Sequence, residues 1–309
     1  MIVIHTKWEP VLTERLIQET GEQAVVSEHP DDVLLSQTEV LLTFGMDGAL
    51  LAHCPNLKFL YSLSAGVDDL PFAALQKQHV VVANSSGVHI SQMSEQILGV
   101  MIGFSRNLFL HRDNQNRHVW ELFPKIRELN GSTLLIIGAG RIGQAVAKRA
   151  KAFDMRVIGL KNGPSPMENF DEVWETERLH DALPLADYVV LLTPLTAETK
   201  GLMNGSAFAQ MKSSAVFLNY SRGGTVELPA LIDALQNGVI RGAGLDVFPT
   251  EPLPADSPLW SMPNAMLTPH IGGKSEQYNV RALDVFLQNY RAWKEGKPLP
   301  TQIDLVRGY

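Results

Sequence analysis

GSTLLIIGAGRIGQAVAKRAKAFDMRVIGLKN, residues 131–162, carries one complete supersecondary unit. Thr133 to Ile137 is a short apolar run that reads as a buried strand. Gly138, Gly140 and Gly143 follow in G-x-G-x-x-G spacing, then an amphipathic helix from about Arg141 to Ala152 and a second strand, Met155 to Gly159. Gly138 permits a tight strand-to-helix turn, Gly140 lets backbone approach a pyrophosphate, and Gly143 lets the helix sit close on the sheet. The free N–H groups and positive dipole end of the helix favour an anion there. Three glycines alone signal little; placed between a strand and a helix, they predict a dinucleotide site.

The fingerprint's usual last element is an acid about 20 residues on, which grips the ribose 2′-OH of NAD. Here that place holds Leu160, Lys161 and Asn162, with no carboxylate. A cation and an amide suit a 2′-phosphate instead, which points to NADP ahead of NAD.

The whole chain has 309 residues, enough for about two domains with buried cores. Its hydrophobic content of 45% and charged content of 19% are those of an ordinary globular protein. Net charge is −7 with no basic block, which argues against a nucleic-acid surface. The single cysteine, Cys54, excludes an intramolecular disulfide framework and fits a reducing compartment. MIVIHTKWEP lacks the pattern of a signal peptide, and no apolar run reaches membrane-spanning length. A cytoplasmic protein with no membrane partner is expected.

From Met1 to about Asn84, strands at Ile2–His5, Ala24–Val26, Val40–Thr43, Lys58–Leu63 and Val80–Ala83 alternate with helical stretches such as Val11–Glu19. That rhythm predicts α/β architecture with a parallel sheet. Ser64-Ala65-Gly66-Val67-Asp68 is a small-residue turn at the carboxyl end of one strand, where free N–H groups can hold a carboxylate. Ser91 to Arg106 reads as a long apolar helix suited to burial between domains. His111 to Asn130 is polar with scattered aromatics and suits a surface excursion against a partner subunit. Further strands follow at Tyr188–Leu192, Ala215–Tyr220, Ala243–Val247 and Ala265–Thr268, with a helix at Leu228–Asn237 and another from Ser275 to about Lys294.

Three candidates for chemistry stand just after successive strands: Arg222 in Asn219-Tyr220-Ser221-Arg222-Gly223-Gly224, Glu251 in Phe248-Pro249-Thr250-Glu251-Pro252, and His270 in Thr268-Pro269-His270-Ile271-Gly272. A parallel sheet presents residues at such ends to a ligand. An arginine clamps a carboxylate with two parallel hydrogen bonds. A histidine can give a proton to a carbonyl oxygen as hydride arrives at carbon, and a neighbouring carboxylate stabilises its imidazolium. Any one of the three alone would read as a surface residue; together, beside a nucleotide fingerprint, they read as a catalytic set. No cluster suggests a metal.

GAGRIGQAVA, NYSRGG, GAGLDVFPTEPLP and LTPHIGG together resemble the D-isomer-specific 2-hydroxyacid dehydrogenase family, and SAGVD at 64–68 and SEQ at 94–96 extend the likeness over nearly the whole chain. The resemblance implies a Rossmann-type doubly wound parallel-sheet domain, residues 99–274, inserted into a flavodoxin-like α/β substrate domain, residues 1–98 plus 275–309. It implies Arg222 as carboxylate and carbonyl binder, His270 as acid/base and Glu251 as its partner, with Ala65 and Gly66 holding the substrate carboxylate. Asp246 and the Tyr220 carbonyl would hold the nicotinamide carboxamide and Thr193-Pro194 would flank the ribose. Met93, Arg141, Ile142, Thr199 and Gly272 complete the implied cofactor set with Gly138, Gly140, Gly143, Lys161 and Asn162. It further implies a homodimer formed along 104–123, through Phe104, Leu108, Phe109, Trp120 and Phe123, with Trp120 reaching the partner's substrate site.

LPADSPLW and the terminal QIDLVRGY are most similar to the glyoxylate/hydroxypyruvate reductase A subgroup. The chain departs from that subgroup in having only Lys161 where it carries several basic residues, in Tyr220-Ser221 before the arginine, and in Ile-Gly-Gly after His270. Reduction of small 2-oxo acids such as glyoxylate and hydroxypyruvate is therefore expected. Alternatives are an NAD-dependent D-lactate- or phosphoglycerate-type dehydrogenase and a nucleotide-sensing corepressor-like protein. Phe44-Gly45-Met46, after the strand 40–43, should line the space beyond the substrate carbonyl, a bulky apolar wall without a spare cation.

Overall fold

The computed structural model describes residues 1–67, 69–122 and 125–306; Asp68 of the small-residue turn, Phe123 of the crossover segment and Arg307–Tyr309 of the terminal string lie outside the described residues. Contacts divide the chain into two compact units, Met1–His89 with Ser275–Tyr309, and Ile90–Lys274. The position 98/99 named above falls inside the helix Ile90–Ser105, which belongs wholly to the second unit.

The first unit holds β1 (Ile2–His5), β2 (Ala24–Val26), β3 (Val40–Thr43), β4 (Phe59–Ser62) and β5 (Val81–Asn84). They form a parallel sheet in the order β2-β1-β3-β4-β5, the flavodoxin-like arrangement. Alternation explains its two covered faces. Ile2, Ile4, Leu42, Phe59 and Tyr61 enter one apolar cluster, while Val3, Leu41, Leu60 and Val82 enter another. The helix Pro10–Thr20 opens with proline in its first turn and stops at Gly21, whose φ of 69° lets its N–H reach the Ile17 carbonyl. The helix Tyr278–Lys294 returns to this unit from the far end of the sequence. Its Phe286 stacks on Phe59 at 6.2 Å and meets Tyr61 edge-on at 5.3 Å. Truncating so buried a phenylalanine costs about 3–5 kcal/mol, so this helix is firmly seated.

The second unit holds β6 (Thr133–Ile137), β7 (Arg156–Leu160), β8 (Glu172–Trp174), β9 (Tyr188–Leu191), β10 (Val216–Asn219), β11 (Gly242–Leu245) and β12 (Ala265–Leu267). Their order, β12-β11-β10-β9-β6-β7-β8, is a doubly wound Rossmann sheet with one added strand and its switch point between β6 and β9. Strand alternation again serves two faces: Leu135, Ile137, Val189 and Phe217 enter one cluster, and Leu134, Ile136, Val190 and Leu218 the other. The helices Ile90–Ser105 and Arg141–Lys151 cover the second face. Strand β8 has no counterpart among the expected strands, because EVW is three residues long and flanked by acids. It forms only because β7 offers a free edge.

The segment 104–123 divides. Phe104 is buried, and half-buried Phe109 packs edge-on against it at 5.2 Å at the margin of the unit's own core. A helix, Leu108–Asn116, occupies the start of the polar stretch. Val119, Trp120, Leu122 and Ile126 are exposed, Trp120 at 94%.

Candidate active site

In the second unit the carboxyl ends of β6, β7 and β9 lie side by side, since Ile137 is in register with both Leu160 and Leu191. The turn after β6 brings Gly138 to φ 96°, and a Cβ there would come within 2.9 Å of the Leu192 and Thr193 backbone. Only glycine fits this strand-to-strand contact. Gly140 is the N-cap of the helix Arg141–Lys151, makes no side-chain cap, and has open space where its Cβ would be. Arg141 begins the helix, and Ile142 packs down onto the core with Met93 from the helix Ile90–Ser105. At the switch point, Thr193 Oγ1 is buried with no partner among the described residues. Thr199 donates to the Pro194 carbonyl at 2.6 Å and so holds the 193–199 loop closed. An uncapped helix N-terminus, a turn open to a phosphate and an orphaned hydroxyl fit a dinucleotide.

Beyond β7, the Lys161 N–H donates to the Trp174 carbonyl and the Asn162 side chain accepts from Thr176 Oγ1 at 2.8 Å. The Gly163 N–H donates to Glu175 Oε2 at 3.2 Å. Counting along the chain finds no acid here, but pairing of β7 with β8 brings Glu175 to the same loop. The missed signal was β8 itself.

Arg222, Glu251 and His270 follow β10, β11 and β12, which are neighbours in the sheet. The Arg222 carbonyl accepts from the Thr225 N–H and hydroxyl, and a Cβ on Gly223 would fall 1.9 Å from the Phe248 carbonyl carbon. The arginine loop and the Phe248–Glu251 loop thus touch backbone to backbone. Glu251 Oε1 accepts the Phe248 N–H at 2.9 Å, and Oε2 lies 2.7 Å from His270 Nδ1. Arg222 is half-buried; the His270 and Glu251 side chains keep 49% and 35% of their surface exposed.

Asp246, buried at 2% exposure, ties this last loop down. Its carboxylate accepts from Thr268 Oγ1 at 2.5 Å and from the Ile271 and Gly272 N–H groups. The His270 N–H meanwhile donates to the Asp246 carbonyl, and His270 adopts φ 51°, a left-handed conformation rare outside glycine. The Tyr220 ring is buried in the core, and burial beside Asp246 pushes its phenol well above the ordinary range. Ser221 bonds Asn219 and Thr225. Both departures from the family pattern thus pack or bond inside the loop and the core beneath it.

In the first unit, the Asn84 side chain donates to the Ala65 carbonyl at 2.6 Å and the Ser85 N–H to the Ser64 carbonyl. With its carbonyls so engaged, the turn leaves the Ala65 and Gly66 N–H groups without a partner among the described residues. Phe44 follows β3, is 44% exposed and is tied to the turn by Ser64 Oγ on its carbonyl. Met46 is buried at 3% in the unit's core, so of Phe44-Gly45-Met46 only Phe44 presents an apolar wall. Among the described residues no three His, Cys, Asp or Glu side chains form a metal cluster, and no helix is long and apolar enough to cross a membrane.

The profile of the family described as D-isomer specific 2-hydroxyacid dehydrogenase, NAD binding domain, matches residues 98–272. Glyoxylate/hydroxypyruvate reductase B of Escherichia fergusonii is 34% identical, over 92% of both chains. A D-isomer specific 2-hydroxyacid dehydrogenase family protein of Aeromonas salmonicida superposes with a TM-score of 0.87 at 32% identity, covering 98% of each chain. The NADPH-dependent glyoxylate/hydroxypyruvate reductase of Sinorhizobium meliloti, solved with NADP and sulfate, superposes with a TM-score of 0.85 at 27% identity, covering 100% of this chain and 99% of that one.

Proposed function

The chain belongs to the D-isomer specific 2-hydroxyacid dehydrogenase family, and from that premise we propose that it reduces small 2-oxo monocarboxylates, glyoxylate and hydroxypyruvate foremost, to 2-hydroxy acids. The observation that carries this reading is the His270–Glu251 pair, 2.7 Å apart at the same sheet edge as the glycine turn.

The nicotinamide, when bound, supplies hydride to the carbonyl carbon. Glu251 accepts a hydrogen bond from the Nδ1–H of His270, which leaves Nε2 to deliver a proton to the carbonyl oxygen. Arg222 polarises that oxygen and binds the carboxylate. In the first unit, the Ala65 and Gly66 N–H groups receive a carboxylate. The chain of events consumes one 2-oxo acid, one reduced cofactor and one proton, and releases the 2-hydroxy acid and the oxidised cofactor.

For the cofactor, Gly138 and Gly140 would receive the pyrophosphate, with Gly143 letting the helix sit close on the sheet, Lys161 would meet the 2′-phosphate of NADPH, and Asp246 with the Tyr220 carbonyl would hold the carboxamide. Glu175 opposes this preference by bringing a negative charge to the Lys161–Gly163 loop. A homodimer in the cytoplasm completes the reading. Exposed Trp120 and Leu122 on one segment support the dimer, and a single cysteine, buried and with its thiol pushed up to about 11 by burial, suits a reducing compartment.

The test is a panel of 2-oxo acids with NADPH and NADH, following nicotinamide absorbance. Turnover of glyoxylate and hydroxypyruvate with NADPH is expected; no turnover of any 2-oxo acid would sink the assignment. Light scattering at micromolar concentration should give twice the chain mass, and a monomer would refute the dimer.

A further inference from the structure

Phe44 is a half-exposed aromatic ring on a short connection after β3. The ring that packs on it comes from the other end of the chain. Tyr278, the first residue of the helix Tyr278–Lys294, stacks on Phe44 with ring centroids 5.9 Å apart and planes 29° from parallel. The Tyr278 hydroxyl donates to the carbonyl of Leu63, the residue immediately before the Ser64–Gly66 turn. Its ring also lies 5.3 Å from that of His89. Burial raises the phenol to about 12, so the hydroxyl stays protonated and donates throughout the neutral range.

One side chain thus touches both the apolar wall and the strand end that leads into the Ala65–Gly66 turn. Because Phe286 and its neighbours seat the helix in the unit's core, the spacing between wall and turn is referenced to a rigid element. Resting on the substrate reading above, we propose that Tyr278 is a positioning residue with two separable effects. Its ring fixes Phe44 and so limits the size of the group beyond the substrate carbonyl. Its hydroxyl holds the carboxylate-binding turn in place.

The experiment compares wild type, Tyr278→Leu, Tyr278→Phe and Phe44→Leu on glyoxylate, hydroxypyruvate and phenylpyruvate, with saturating NADPH. Tyr278→Leu should lower the preference for hydroxypyruvate over phenylpyruvate, in kcat/KM, by at least about tenfold. Phe44→Leu should do the same, and the double variant should be no worse than either, since both act through one contact. Tyr278→Phe keeps the ring and should keep the preference, while KM rises for all three acids together. If Tyr278→Leu folds poorly, Phe44→Leu and Tyr278→Phe still decide the matter. An unchanged preference in Tyr278→Leu and Phe44→Leu overturns the proposal for Tyr278 alone. A wild-type enzyme that ignores both glyoxylate and hydroxypyruvate overturns the substrate reading instead, and this proposal with it.

Discussion

His270 Nδ1 lies 2.7 Å from Glu251 Oε2, and the other Glu251 oxygen is held at 2.9 Å by the Phe248 N–H. The carboxylate is therefore fixed by backbone before it fixes the imidazole. Replacing His270 by alanine should lower kcat by roughly 10²–10⁴, the usual contribution of a general acid. Glu251→Gln keeps the shape but loses the charge that supports an imidazolium, so kcat should again fall while the dissociation constant of NADPH, by fluorescence quenching, stays put. Full activity in either variant would remove the pair from the mechanism.

The left-handed conformation of His270, φ 51°, costs about 1–2 kcal/mol for a residue with a Cβ. His270→Ala keeps that strain and His270→Gly releases it, partly offset by the extra freedom of glycine in the unfolded chain. Denaturant unfolding should show the glycine variant the more stable by roughly 0.5–1 kcal/mol. A glycine variant less stable than the alanine one would argue against this loop conformation.

Gly223 is the other backbone constraint. With 1.9 Å from a Cβ to the Phe248 carbonyl carbon, Gly223→Ala must push two loops apart. Overpacking of this kind costs about 1–3 kcal/mol, and here it displaces Arg222 and Glu251 at once. Both Tm and kcat/KM should drop; retention of both would mean the loops separate freely.

Cofactor choice is expected to be a contest between Lys161 and Glu175. Lys161→Asp should erase or reverse a preference for NADPH by repelling the 2′-phosphate. Glu175→Gln should raise the NADPH-to-NADH ratio of kcat/KM, because the carboxylate at the Gly163 N–H becomes neutral. Titration with 2′,5′-ADP against 5′-ADP reads the same contest without turnover, and an unaltered ratio in Glu175→Gln would exclude that residue.

Substrate charge gives the remaining expectation. Phe44 and Gly45 bring no cation to the wall after β3, so a second anionic group would be left unpaired at a cost of several kcal/mol. Glyoxylate and hydroxypyruvate should exceed oxaloacetate and 3-phosphohydroxypyruvate in kcat/KM by at least about tenfold, or ~1.4 kcal/mol. A doubly charged acid emerging as the best substrate would contradict the wall assignment.

The α/β rhythm, the glycine turn and the three strand-end residues were legible in the sequence because each is a local pattern. Apolar runs such as Thr133–Ile137 must be buried strands, and a strand that ends in G-x-G has few ways to turn. What tertiary structure alone decided came from contacts between distant segments. Strand β8 exists because β7 has a free edge, and with it Glu175 reaches a loop that sequence counting leaves without an acid. Phe104 and Phe109, which the family resemblance places in a dimer-forming segment, pack on each other against the unit's core, while Trp120 and Leu122 of the same segment are exposed. Tyr278 meets Phe44 and Leu63 only because the last helix returns to the first sheet. Local periodicity records which face of an element is apolar, but the partner of that face is set by chain topology, which no single stretch contains.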